Sequence, residues 1–173
     1  MPTTVEIPLE LDVVDPTTAN AFWTLNQGPF WDQGVYRFIK VNSPPSGDSV
    51  MNWKTAIPKN LAPTAAWNLI LHHQCSDGGQ GRVLLRVDAE VVGSGDTPVA
   101  MTTIVPNQTF GVGTSGDRNI TPLSSTNFDS LVTLVAGEAL HVRLKRVSLS
   151  SSGDSLTGNW DLLLPPVVRL DIA

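Results

Sequence analysis

The 173-residue sequence holds a single cysteine, Cys75. No disulfide can form within the chain, so nothing in its cysteine usage signals an oxidising compartment, and packing must hold the fold together. Positive charge is scarce: 11 Lys and Arg stand against 16 Asp and Glu, for a formal net charge of −5. Without a basic stripe to neutralise phosphates, nucleic acid is not an expected partner, and anionic membranes are disfavoured for the same reason. No window approaches the roughly 18 consecutive apolar residues of a membrane span. The N-terminal stretch MPTTVEIPLELDVVD has acidic residues where a secretory signal carries Lys or Arg before an apolar run. The expected product is soluble and made in a cytoplasm.

What the chain does have is 14 Gly, 13 Pro and many Ser and Thr, with 41% hydrophobic residues. This composition favours short strands joined by turns in one compact all-β domain. Val5, Ile7, Leu9, Leu11 and Val13 alternate with polar residues and Pro8, as in a strand with one wet face; Pro8 places it at a sheet edge or against another subunit. Asp15-Pro16 suits the start of a short helical turn in the irregular region 15–34, and residues 50–64, with Pro58 and Pro63, read as irregular. Strands are expected at 35–41, 66–74, 81–92, 99–105, 137–149 and 160–172, those at 66–74, 81–92 and 99–105 forming a meander. Val83, Leu85, Val87, Ala89 and Val91 share one face of the clearest strand. Pro165-Pro166 predicts a kink or bulge in the last one. FGVGTSGDRN (110–119) reads as a Gly-rich loop. About eight such strands suit an antiparallel β-sandwich of jelly-roll type, with a lipocalin-like closed barrel as the rival. The expected organisation is an N-terminal strand and arm over residues 1–60, either part of the same domain or a subunit or platform contact, and a sandwich core over 61–173.

Candidate chemistry is sparse. Gly153-Asp154-Ser155-Leu156 spells the tetrapeptide of a group of serine esterases, but those enzymes resemble one another in carrying it near the N-terminus with Asp-x-x-His near the C-terminus. Here no His follows Ser155, and Ser-Gly-Asp also occurs at 46–48, 94–96 and 115–117, each time between apolar segments. The tripeptide therefore reads as turn punctuation, because Gly permits positive φ and Ser or Asp bonds the local backbone. In a strand, His72 and His73 point to opposite faces, so only His73 and Cys75 could share a metal; His141 is the one other histidine, and a structural pair with a buried thiol is the better reading. A metal on a trimer axis stays open. Asp88 and Glu90 share a polar strand face, an ordinary solvated arrangement rather than a glycosidase dyad. No catalytic residue, cofactor or resident metal is expected. Of the five tryptophans, Trp67 is expected in the core, whereas Phe22, Trp23, Phe30 and Trp31, in an irregular region, are the candidate partner contacts. Indole stacking on a sugar is the alternative use of these rings.

The order AAWNLILHHQCSDGGQGRVLLRVDAEVVGSGD, TTIVPNQTFGV, NITPLSSTNF and VAGEALHVRLKRVSLSSSGDSLTGNWDLLLPPVVRLDI, over about residues 56–173, resembles small jelly-roll virion proteins of tailed bacteriophages and related prophage genes. Its closing elements are Ala136-Gly137-Glu138, Leu140 to Arg146, Asp154-Ser155-Leu156 and Trp160 to Ile172. The resemblance implies a non-enzymatic structural protein of the virion: a capsid decoration protein on the outer head surface, or a head-fibre, tail or baseplate component. It implies association with its own copies, commonly as a homotrimer, and with the major capsid protein or another virion protein. The alternative is a fibre component that binds a host surface glycan. Two departures stand out: Pro165-Pro166 interrupts a strand that is continuous in the pattern, and the aromatic N-terminal region has no counterpart there.

Overall fold

The computed structural model describes residues 3–14, 23–26, 38–41, 49–63, 66–75, 81–97, 100–112, 119–123, 128–147, 155, 160–162 and 165–173. Among them are β1 (Thr3–Pro8), β2 (Glu10–Val14), β3 (Trp23–Asn26), β4 (Phe38–Val41), β5 (Ser49–Ala56), β6 (Trp67–Cys75), β7 (Gly81–Val92), β8 (Thr102–Val112), β9 (Asn119–Leu123), β10 (Ala139–Arg146), β11 (Trp160–Leu162) and β12 (Val167–Ile172), with one 3-10 turn at Phe128–Ser130. All pairings are antiparallel. The first sheet runs β1-β12-β6-β11-β4-β3 with β9 on the other side of β6, and the second runs β2-β5-β10-β7-β8. Within these lie two sets of four, β1-β12-β6-β9 and β5-β10-β7-β8. The first strand thus pairs with the last, which is the order of a jelly roll.

Alternation of side chains explains why the sheets stack. On β10, Leu140, Val142, Leu144 and Arg146 are buried and the residues between them are half-buried. On β7, Val83, Leu85, Val87 and Ala89 are fully buried, and on β6 so are Leu69, Leu71 and His73. Such inner faces bury only when a second sheet covers them, and Trp53, Met51, Phe128 and Leu123 complete the filling. Trp67 is 1% exposed: its Nε1–H donates to the Val132 carbonyl at 2.8 Å, and its ring meets Phe128 edge-on with centroids 5.1 Å apart.

The sheets are joined at Leu9. The chain leaves the first sheet after Pro8 and enters the second at Glu10, while the Leu9 N–H donates to the Pro166 carbonyl at 2.8 Å. Pro166 sits in the predicted bulge. The register along β6 changes there, because Leu162 pairs with His73 and Val167 with Ile70. β1 lines the β12 part of this broken strand and β4 lines the β11 part. Since residues 3–14 run through both sheets in one direction, the sheet ends correspond. Trp67, Ala56 and Ala139 lie toward one end, and Cys75, Ser49 and Arg146 toward the other.

Several expectations need correction. Residues 49–56 form a strand, not an irregular segment: Met51 and Trp53 are buried on alternate positions, and β5 pairs on both sides, with β10 and β2. The proline at 58 lies just past its end. The expected meander is absent, because β6 and β7 belong to different sheets and only β7 and β8 form a hairpin. The alternating run 5–13 is two strands split by the crossover. β8 extends to Val112 and β9 begins at Asn119, so the Gly-rich loop is shorter than 110–119. Trp23 to Asn26 form strand β3 within the region read as irregular; the proposed helical start at Asp15-Pro16 lies outside the described residues. Strands β1, β2 and β5, all within residues 1–60, belong to the two sheets.

Leu9 is 1% exposed and packs where the sheets join. Leu9→Ala is expected to lower unfolding free energy by about 2–5 kcal/mol, at the upper part of that range if the crossover cannot collapse onto the cavity. Urea denaturation measures it.

Candidate functional site

Ser155 is an anchor for a connection. Its N–H donates to the Arg82 carbonyl at 2.9 Å, and its Oγ accepts the Arg82 N–H at 3.0 Å, so the residue continues the start of β7 as a one-residue ladder. A base is out of reach on the same sheet. His141 lies beside Glu90 on the neighbouring strand, eight β7 positions from Arg82, or about 26 Å at roughly 3.3 Å per residue. The three histidines occupy three different surfaces. His73 is on the inner face of the first sheet and fully buried, His72 is half-buried on that sheet's outer face, and His141 is half-buried on the outer face of the second sheet. Among the described residues no group of three or more His, Cys, Asp or Glu could hold a metal ion. Burial, with a smaller push from His72, lowers the His73 pKa to about 4 and keeps its ring neutral at pH 7.

The outer face of the second sheet is a ladder of charged and polar residues in register. One row runs Glu10, Lys54, His141, Glu90; the next runs Asn52, Arg143, Asp88, Thr103. Lys54 bonds Asp12 at 2.5 Å, which raises the lysine pKa, and His141 Nδ1 lies 4.0 Å from the other Asp12 oxygen. Arg143 Nε donates to the Asn52 side-chain oxygen at 3.2 Å. Asp88 departs from the solvated reading of this face. It is only 5% exposed, held by Arg86 Nε at 2.9 Å and Thr103 Oγ1 at 2.6 Å, while Arg86 also reaches Thr103. Asp88 is thus a structural tie between β7 and β8. Where Ala56 faces Ala139, the short side chains leave an open depression of about 310 Å³ lined also by Glu10, Lys54 and Thr55.

Two turns close the Ala139 end. Gly95 (φ 90°) and Gly137 (φ 85°) are the third residues of turns 93–96 and 135–138, where positive φ favours glycine. In the first, the Asp96 carboxylate accepts the Gly93 N–H at 2.7 Å; this is the Ser-Gly-Asp tripeptide at 94–96 acting as turn punctuation. A Cβ on Gly93 would fall 2.8 Å from the Glu138 carboxylate, so the two turns pack tightly. Leu131 and Val135, at the same end, are the exposed large hydrophobics among the described residues.

Of the candidate contact residues, Trp23 opens β3 and pairs with Val41, whereas Phe22, Phe30 and Trp31 lie outside the described residues. Trp53 and Trp67, each 1% exposed, are core residues and so cannot form a sugar platform. The inner-face Arg146, 2% exposed, was not singled out by sequence reasoning; its place at the end of the alternation Leu140, Val142, Leu144 was the available signal.

Two expectations follow. Ser155→Ala is expected to cost about 0.5–1.5 kcal/mol of stability, and the wild-type protein to stay unlabelled by a fluorophosphonate probe. Because folding depresses the His73 pKa, its contribution to stability is complete above the unfolded value of 6.5 and is lost as pH falls toward about 4. A titration followed by the ring protons should give that low value, and the stability loss between pH 7 and 4.5 should shrink in His73→Leu.

No family model and no curated protein matches the chain. It is similar to a structure of infectious bursal disease virus, Gx strain, with 11% identity and a TM-score of 0.43 over 99% of this chain and 37% of that one. It is also similar to the enzymatically active domain of tailspike protein 4 of bacteriophage CBA120, with 6% identity and a TM-score of 0.41 over 99% of this chain and 19% of that one. A third likeness is to carbohydrate-binding modules of the β-sandwich superfamily, with 9% identity and a TM-score of 0.41 over 95% of this chain and 56% of that one. The chain spans less than two-thirds of each of these structures. All three scores are below 0.5, so the fold rests on the strand order described above.

Proposed function

We propose that the chain is a non-enzymatic structural protein of a phage particle, a decoration protein on the outer surface of the head. The observation that supports this most is the position of the segments that resemble phage virion proteins. Residues 67–75, 81–92, 139–146 and 160–172 form β6, β7, β10 and the β11–β12 pair, the central strands of the two sheets, in jelly-roll order. The described residues share one hydrophobic core, and in this reading the chain acts through contacts with further copies and with the capsid. Phe22, Trp23, Phe30 and Trp31 are the aromatic anchors of the platform contact in this reading, since large aromatic rings dominate binding energy when desolvated.

The test is sedimentation with heads assembled in the absence of the chain. Saturable co-sedimentation is expected, and the double variant Trp23→Ala, Trp31→Ala is expected to bind more than about tenfold more weakly with an unchanged melting temperature. Protein that leaves heads in the pellet and stays in the supernatant contradicts decoration, and selective binding on a glycan array would then favour the receptor-binding fibre.

A further inference from the structure

β1 is an edge strand: among the described residues no strand pairs with its outer side. Its register with β12 continues to Leu9, whose N–H faces Pro166, so in the alternation of an antiparallel ladder Thr3, Val5, Ile7 and Leu9 face β12. The backbone groups of Thr4, Glu6 and Pro8 therefore turn outward. Proline has no N–H, which leaves two outward donors, Thr4 and Glu6. Other edges carry features that oppose pairing. β2 has a register shift between Leu11 and Val13, β8 has Pro106 at its irregular pairing with β7, β9 contains Pro122, and β3 is four residues long. β1 has no such interruption from Thr3 to Ile7. Val5 and Ile7 are packed on the core yet only partly buried, and Thr4 and Glu6 are exposed.

We infer that β1 pairs antiparallel with β1 of a second copy about a two-fold axis at Val5, joining the first sheets of the two copies edge to edge. In this register Thr4 faces Glu6 of the second copy and Glu6 faces its Thr4. The two outward donors of each strand then meet outward carbonyls, making four N–H···O bonds. Val5 packs against Val5 across the axis, in the closer, non-hydrogen-bonded type of pair. Charge selects this register over its neighbour. An axis at Glu6 would oppose two like carboxylates, whereas an axis at Val5 sets each Glu6 beside a threonine and leaves its bond to Arg169 Nη2, 2.6 Å, undisturbed. The contact deepens the self-association in the proposed function. It joins copies in pairs, where the resemblance implies threefold closure.

Light scattering on the purified protein tests it apart from head binding. The wild type is expected at twice the 18.5 kDa chain mass at tens of micromolar, and the variant Thr4→Pro, Glu6→Pro at the mass of one chain. Thr4→Val and Glu6→Gln, which keep both amides, are expected to stay paired. A wild-type protein of one-chain mass overturns the inference, as does any assembly that survives both prolines. If the proline variant does not fold, hydrogen exchange in the wild type decides. Protection of the Thr4 and Glu6 amides that grows with protein concentration supports pairing, and exchange at unprotected rates at every concentration overturns it. Either failure leaves the co-sedimentation result standing on its own.

Discussion

The crossover at Leu9 is the joint on which the architecture depends. One N–H···O bond to Pro166 fixes where the first strand leaves its sheet, and the buried Leu9 side chain fills the seam. The bulge that carries Pro166 makes this possible. It divides the last strand into β11 and β12, so that β1 can border one part and β4 the other. Without a register change there, β1 would run on along the first sheet, and β2 would not reach β5. Two prolines thus serve a topological purpose: Pro166 offers only an acceptor and Leu9 supplies the donor, while Pro8, also without a donor, turns its nitrogen to the open side.

From this joint the sandwich gains a core closed by its own residues and a set of surfaces with distinct chemistry. The second sheet shows a charged ladder in which Asp88, Arg86 and Thr103 tie β7 to the edge strand β8. The first sheet has β1 at one edge, with no partner on its outer side among the described residues. The interior also holds His73, which is neutral at pH 7, so its burial carries no charge at that pH but does couple folding to acid.

How legible was this in the residues? Where one face alternates cleanly, as in Val83 to Ala89 or Leu140 to Leu144, strand and buried face could be read directly, and the all-β sandwich followed from their number. Pro165-Pro166 marked the register change between β11 and β12, and Ser-Gly-Asp at 94–96 marked a turn. What could not be read was which sheet each strand joins. Leu9 sits in phase with Val5, Ile7 and Leu11, so the run looks like one strand, and only the tertiary bond to Pro166 reveals two. β5 was hidden because Pro58 and Pro63 mark the region as broken, although Met51 and Trp53 carry the period of two. β6 and β7 look like neighbours because the segment between them is short. Asp88 looked solvated because long-range partners, Thr103 above all, are invisible to local pattern. The candidate contact residues fared least well, since three of the four, Phe22, Phe30 and Trp31, lie outside the described residues and only the strand position of Trp23 is established.

The most direct measurement of the central claim is a pair of cryo-electron microscopy reconstructions: particles produced by the encoding genome, and particles from the same genome with this gene deleted. The account predicts jelly-roll density at symmetry-related positions on the outer head surface of the first, and its loss from the second with the capsid shell otherwise intact. Two maps that superpose without difference on the head would contradict it.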